Sequence, residues 1–593
     1  MAQSPHGVNY EAYRPVVMGR NGMVCSGHPL ASQAGIAMLQ RGGNAVDAAI
    51  ATAAALNVVE PLMSGIGGDG FIMVYWKEAD QISIANGTGA APYAATRERY
   101  FPRGIPMKGI LSVSVPGLVD SWLAAHERYG ALALAEVMAP AIDLAANGFP
   151  VSHLLSRAIA ADPLLCQFPT SRAIFTRDGR PLRPGEILHQ MDLAHTFRSI
   201  IDGGRDAFYE GETARAIVKF SKDQGGLLTL KDLADCHSRW QDPISTTYRR
   251  HTVYEAPPNS SGHILLQELN LVERFDLKAL GCNTAESIHV MVEAKKLAFI
   301  DREAYVADPD YVDVPTEGLI SKAYASERVK LIDPDRAVAS VRAGDPWKFQ
   351  PPRRGRADSR IAPAAVASNE EEDTTGFVVV DRWGNAVCQL QSLQSAFGSS
   401  LVAGDTGILL NNRMTYWHLE ADHVDCLQPG KRVRHTMNPV MVFQEAEPTP
   451  MTGAGASFPG RTPAPNGGEL RSRDLVLVCG TPGADTQVQT NLQVITHVLD
   501  FGLTVAEAVE APRWRNTQSP TESNIPHVCQ DELLLEGRFP VETRAGLVQR
   551  GHTLNILTDW GASGSEMMVQ VDPETGALHG AADPRRDGYA VGW

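Results

Sequence analysis

Nowhere in the 593-residue chain do the roughly 18 uninterrupted apolar residues of a membrane span occur, so no spanning helix is expected. The opening stretch, MAQSPHGVNYEAYRPVVMGRNGMVCSG, lacks a basic start followed by an apolar run, so no secretory leader is read there. Positive charge is also scarce. Lys and Arg total 53 against 68 Asp and Glu, and the resulting −15 argues against a phosphate backbone as partner. Neither nucleic acid nor membrane is expected to bind. Eight cysteines, at 25, 166, 236, 282, 388, 426, 479 and 529, include no CxxC pair. In a chain this long they suggest buried thiols in a reducing compartment, and hence a cytoplasmic enzyme. P-loop, HExxH and GxSxG motifs are missing too, and no internal repeat is visible. What remains is a globular composition, 44% apolar, which excludes a mostly disordered chain.

The organisation is mixed α and β. Residues 29–60 carry a helical pattern that stops at Gly42-Gly43, followed by an Ala-rich stretch from Asp47 that reads as a buried helix. The glycines of SGIGGDG satisfy G-x-G-x-x-G, but they follow a helix and precede the strand-like FIMVYW. That order is the reverse of a dinucleotide site, so the segment is read as a turn where backbone approaches backbone or ligand. CNTAESIHVMVEAKKLAFIDREAY, near 281–305, is expected to be helical. From about 341 to 373 the chain turns polar and Pro/Arg-rich, a mobile linker. It ends at a strand, Thr374–Asp381, which Trp383-Gly384-Asn385 turns into a second strand, AVCQLQSL. A Pro/Gly-rich surface insertion, about 445–470, separates the strands MVF and LVLVCG.

Few residues advertise chemistry. His28 and His289 lack a readable partner and are taken as structural. His418, Asp422, His423, Asp425 and Cys426 include possible ligands, but their spacing matches no zinc pattern and reads as a polar loop, so no metal and no cofactor are assigned. The junction at Thr374 is more informative. Cleavage of the Asp373–Thr374 bond would place a new α-amine beside the Thr374 hydroxyl, making one residue both nucleophile and base. Taken alone, a Thr pair opening a strand is ordinarily a packing choice, because β-branched residues favour strands.

Seven segments add to this reading: HPLASQAGIAMLQRGGNAVDAAIATAAALNVVEPLMSGIGGDGFIMVY, SVPGLVDSW, APPNSSG, EAKKLAFIDR, DTTGFVVVDRWGNAV, GDTGILLNN and CGTPGAD. In this order, from about residue 20 onward, they resemble the γ-glutamyltranspeptidase (glutathione hydrolase) family of N-terminal-nucleophile hydrolases. The resemblance implies an α+β fold, a four-layer αββα sandwich autocleaved into two intertwined subunits. Residues 1–373 would form the large subunit and 374–593 the small catalytic one, each the other's partner in a heterodimer.

By the same resemblance, Thr374 corresponds to the nucleophile and Ser392 to a second hydroxyl that positions it. Gly483 and Ala484 correspond to a Gly-Gly pair whose N–H groups form the oxyanion hole. Alanine keeps the N–H unless the backbone there needs positive φ. The substrate pocket departs from the family. Thr88 replaces an arginine that holds the glutamyl α-carboxylate, and Tyr416 replaces an acid that holds the α-amine. His435 and Thr436 replace a Ser-Ser pair, while Arg413 is new and Gln394 joins the substrate-binding candidates. Losing two charge-assisted contacts at ~1.5–3 kcal/mol each weakens glutamyl recognition. Arg413 offers a planar fork to a carboxylate from a new direction, or is an exposed surface arginine. The expected substrate is a small-molecule amide, γ-glutamyl or another carboxylate-bearing acyl group, cleaved by hydrolysis or acyl transfer. The alternative is an unprocessed, catalytically silent relative that binds small molecules.

Overall fold

The computed structural model describes residues 12–351, 372–445, 473–518 and 531–593. Short strands β1 (Val17–Gly19) and β2 (Gly22–Ser26) lead into α1 (Pro29–Gln40) and α2 (Ala45–Val59). Gly42, at φ +93, lets the chain leave α1, and the Gly43 N–H closes onto the Met38 carbonyl at 2.9 Å. The Ala-rich helix starts ahead of Asp47. Asn44 caps it, and the Asp47 carboxylate accepts the Asn44 N–H at 2.9 Å, completing a capping box. Every residue of α2 is buried, which its alanines permit by letting neighbours approach closely.

Strands β3 (Asp69–Trp76) and β4 (Gln81–Gly87) follow, then helices α3 (Leu134–Asn147) and α4 (Met191–Tyr209). The chain continues through β5 (Arg239–Gln241), β6 (Ile244–Tyr248), β7 (His251–Glu255), α5 (Gly262–Val272) and α6 (Ala285–Tyr305). The remaining elements used below are β8 (Glu372–Asp381), β9 (Ala386–Ser395), β10 (Val440–Glu445), β11 (Arg473–Gly480) and α7 (Thr486–Leu499), then β12 (Met567–Val571), β13 (Leu578–Ala582) and β14 (Tyr589–Gly592).

These strands form two seven-stranded sheets, ordered β14-β2-β8-β9-β3-β4-β5 and β1-β13-β12-β11-β10-β7-β6. All neighbours in both are antiparallel. Alternation along each strand sorts the residues into layers. Met23, Phe71, Met73, Val378, Val380 and Cys388 meet Met441, Phe443, Val478 and Val569 between the sheets. Their neighbours Val24, Ile72, Val74, Phe377, Val379 and Val387 face outward onto α1 to α4. Val253, Val440, Val442 and Leu477 likewise face α5, α6 and α7. The result is the expected four-layer αββα sandwich.

The linker expected from 341 differs at its start. Residues 341–351 are packed: the Gly344 N–H reaches Asp301 at 2.9 Å, and the Tyr305 hydroxyl donates to the Gly344 carbonyl at 2.6 Å. Trp347 and Phe349 cover Tyr305 and Leu319, so two aromatics anchor a stretch whose Pro and charge content pointed outward. The rest of the linker, 352–371, and the insertion beyond Glu445 lie outside the described residues. Among the described residues no helix is long and apolar enough to cross a membrane.

Candidate active site

Thr374 stands on β8, on the side that faces the other sheet, where its parity joins it to Gly376 and Val378. Pairing with β9 is regular from Val380 back to Thr375, opposite Gln391, and then shifts so that Asp373 faces Gln394. Thr374 therefore opposes both Ser392 and Leu393, and this bulge turns Ser392 toward it. The Thr374 hydroxyl donates to the Ser392 hydroxyl at 3.2 Å, and the Gln394 N–H donates to the same Ser392 oxygen at 2.8 Å. Both side chains are buried. On the opposite side of β8, the Thr375 hydroxyl donates to Glu60, just past α2, at 2.8 Å.

The glycine turn before β3 brings backbone against this site. A Cβ on Gly68 would lie 2.2 Å from the Ser392 carbonyl, and one on Gly67 would lie 2.1 Å from that of Leu409. Only glycine permits both approaches. This is the close-contact role expected of SGIGGDG.

Gly376 lies against Gly480 and Thr481, where β11 enters the loop carrying Gly483 and Ala484. Gly483 has φ +118 and Ala484 φ +48. The backbone at Ala484 thus does need positive φ, and an alanine there carries a left-handed strain of about 1–2 kcal/mol. Its N–H is retained. Neither the Gly483 nor the Ala484 N–H donates to an acceptor among the described residues, while their carbonyls accept from Thr486 and Gln487 to start α7. Two unpaired amides at a helix N-terminus suit a developing negative charge.

Two of the substrate-binding candidates, Arg413 and His435, converge on Asp69, a residue of the SGIGGDG turn that sequence reasoning did not assign to the site. Fully buried and paired in the sheet with Ser392, it accepts the Gly89 N–H at 2.9 Å. Its other oxygen meets Arg413 Nε at 3.3 Å and His435 Nε2 at 3.5 Å. Arg413 is therefore no surface residue: it is 1% exposed and lies over the Tyr416 ring at 4.8 Å. One of its terminal nitrogens, Nη2, has no acceptor among the described residues. His435 is kept neutral, its pKa lowered to about 4 by burial and then by the Arg413 charge. Thr436 is buried beside it.

Thr88 is committed elsewhere. Its hydroxyl donates to Asn86 at 2.7 Å and accepts from Asn259 at 3.1 Å. Gln394 has φ +92, its Oε1 accepts from Ser395, and its Nε2 is buried without an acceptor among the described residues.

The five-residue polar loop divides. Asp422 is exposed, Asp425 faces Lys431, and Cys426 is a buried thiol. His418 and His423 stack at 3.5 Å and join Glu303 from α6, which no spacing within the loop could have revealed. Glu303 already carries Arg302 and Arg434, so a further cation there would meet two guanidinium groups. A second cluster joins His289, His552 and Glu293. Its histidines hydrogen-bond each other at 2.8 Å, and Lys296 occupies Glu293 at 3.1 Å. His28 caps α1, accepting the Leu30 N–H at 3.2 Å. Seven of the cysteines are described and all are unpaired; Cys529 lies outside the described residues.

The gamma-glutamyltranspeptidase model matches residues 31–458 and 469–593, and the chain belongs to that family. It is 37% identical over 580 residues to the glutathione hydrolase-like YwrD proenzyme of Bacillus subtilis, covering 97% of this chain and 99% of that one. It is 33% identical over 594 residues to a glutathione hydrolase proenzyme of the same organism, covering 98% of this chain and 93% of that one. Among solved structures, a cephalosporin acylase from Bacillus halodurans superposes with a TM-score of 0.83 at 33% identity, covering 100% of this chain and 99% of that one.

Proposed function

We propose that the chain is a self-processing amidohydrolase in which Thr374 becomes the N-terminal nucleophile. Maturation breaks the Asp373–Thr374 peptide bond and leaves fragments 1–373 and 374–593 as a heterodimer. The Thr374 hydroxyl, ordered by Ser392, then attacks the substrate amide carbon while the new α-amine takes the proton. The Gly483 and Ala484 N–H groups receive the oxyanion. Collapse expels the amine, which leaves with a proton from the Thr374 ammonium. Water, or an acceptor amine, attacks the resulting ester and releases the acyl group.

The acyl group in this reading is γ-glutamyl or a similar carboxylate-bearing unit. The buried Arg413 edge supports the carboxylate, and both glutathione hydrolase and cephalosporin acylase occur among the relatives. Unpaired thiols support a reducing, cytoplasmic setting.

The observation that carries the proposal is the 3.2 Å contact between the Thr374 and Ser392 hydroxyls at a bulge in the strand pair. Its test is Thr374→Ala, which is expected to remain a single full-length band and to lose turnover of γ-glutamyl and glutaryl anilides. Retained turnover removes Thr374 from the mechanism, and a wild-type protein that never cleaves supports the silent binding alternative.

A further inference from the structure

The amides at 483 and 484 act only if their loop is aimed, and the loop carries its own handle. Asp485, at the start of α7, makes no side-chain cap to its own helix. Its carboxylate instead turns to Arg302 in the last turn of α6: one oxygen bonds Nη1, the other bonds Nη2 at 3.0 Å. Arg302 is fully buried. Glu303 backs it, accepting Arg302 Nε at 3.0 Å and Nη2 at 2.8 Å, and also meets Arg434 at 3.0 Å. Burial alone would raise the Glu303 carboxyl, yet Arg434 and Arg302 outweigh it and hold it well below the usual carboxylate range. Arg434 precedes His435, whose ring reaches Asp69 and through it Arg413. Arg302, Glu303 and Arg434 thus link the loop at 483–485 to the segment whose next residue, the neutral His435, lies against Asp69 and the wall carrying Arg413.

We propose that Arg302 is a positioning residue: its two-pronged grip on Asp485 fixes the direction of the Gly483 and Ala484 N–H groups. A fork suits this role. A planar guanidinium bonded to both oxygens fixes the rotation of the carboxylate as well as its distance, which a lysine ammonium does not. The strained φ of Ala484, one residue away, needs such an anchor, because a left-handed alanine relaxes if its neighbour is released. The inference rests on the reading of those two amides as the oxyanion hole.

The test compares Arg302→Lys, Asp485→Asn and the double variant with wild type, each first checked for maturation and melting temperature. Turnover of γ-glutamyl and glutaryl anilides is then measured. Each single variant is expected to lower kcat by roughly 10- to 100-fold with KM changed less than about threefold, the signature of an interaction used in the transition state. The double variant is expected to lose little more than either single one. Wild-type kcat in folded, matured Arg302→Lys and Asp485→Asn overturns the proposal, even where melting temperature falls, since only a structural role then remains. Independent, multiplying losses in the double variant also overturn it. Should Arg302→Lys fail to fold, Asp485→Asn alone decides, because asparagine keeps one acceptor oxygen and Arg302 keeps Glu303 as its counter-ion. Failure of the underlying reading is separate: it appears as wild-type kcat in folded, matured Ala484→Val, whose distorted backbone would misdirect those amides.

Discussion

Thr374 and Ser392 face each other across a break in the β8–β9 ladder, hydroxyl to hydroxyl at 3.2 Å. The bulge gives Thr374 two opposing residues where regular pairing would give one. Ser392 also takes the Gln394 N–H, so its oxygen is fixed from the far side before it meets Thr374. Ser392→Ala is expected to slow both chain cleavage and amide turnover by roughly 10- to 100-fold, with Ser392→Thr recovering most of the loss. Timed electrophoresis and a steady-state assay check the two effects.

Arg413 and Asp69 form a buried pair, 1% and 0% exposed. Arg413→Ala leaves Asp69 charged, buried and without its guanidinium, so a loss of about 3–5 kcal/mol is expected by denaturant titration. The same variant is expected to raise KM for carboxylate-bearing anilides more than for an uncharged acyl anilide. Equal changes for both substrates would take Arg413 out of substrate binding.

Ala484 tests the proposed oxyanion role of its loop from the backbone. Glycine relieves its φ of +48 and keeps the N–H, so Ala484→Gly is expected to keep kcat within about twofold. Valine is branched at Cβ and resists that conformation, so Ala484→Val is expected to lower kcat by roughly tenfold or more, at near-constant KM.

Buried histidines and buried acids set opposite limits on pH stability. Burial lowers His28, His435 and His497 to about 4, and His263, His418 and His552 to about 3, from an ordinary 6.5. The unfolded chain therefore binds more protons below 6.5, and stability falls as pH drops from 6.5 toward 4. Burial raises Glu268 and Glu566 to about 8 from 4.5, so the folded state holds extra protons and loses stability as pH rises from 4.5 to 8. Between 4.5 and 6.5 these histidines and acids oppose each other; above 6.5 the histidines contribute no further slope, while Glu268 and Glu566 still cost stability as pH rises toward 8. Calorimetry across roughly pH 4–9 is expected to show a maximum in melting temperature near about pH 6.5.

Much of this was legible in the sequence. The apolar run FVVV, the Trp383-Gly384-Asn385 turn and the alternation in AVCQLQSL marked the hairpin, and Gly42-Gly43 marked the end of the first helix, whereas the second begins at Ala45, ahead of the Asp47 start read from the sequence. The order of glycine turn and strand was enough by itself to exclude a dinucleotide site. Asp69 was not legible as a pocket residue, since it sits in a glycine turn and its partners are 344 residues away in Arg413 and further still in His435. Glu303 and Asp485 escaped for the same reason: Glu303 meets Arg434 across 131 residues of chain, and Asp485 meets Arg302 across 183. Arg413 read equally well as a surface residue, because burial of a charge depends on a counter-ion that only the fold supplies. The packing of Trp347 and Phe349 was hidden by the polar residues around them.

The catalysis proposed for Thr374 depends on the chain breaking before it. Intact mass and N-terminal sequencing of freshly purified, active protein test this most directly. Two species are expected, 1–373 and a second beginning TTGFVVV; active protein consisting only of an unbroken 1–593 chain would contradict the mechanism.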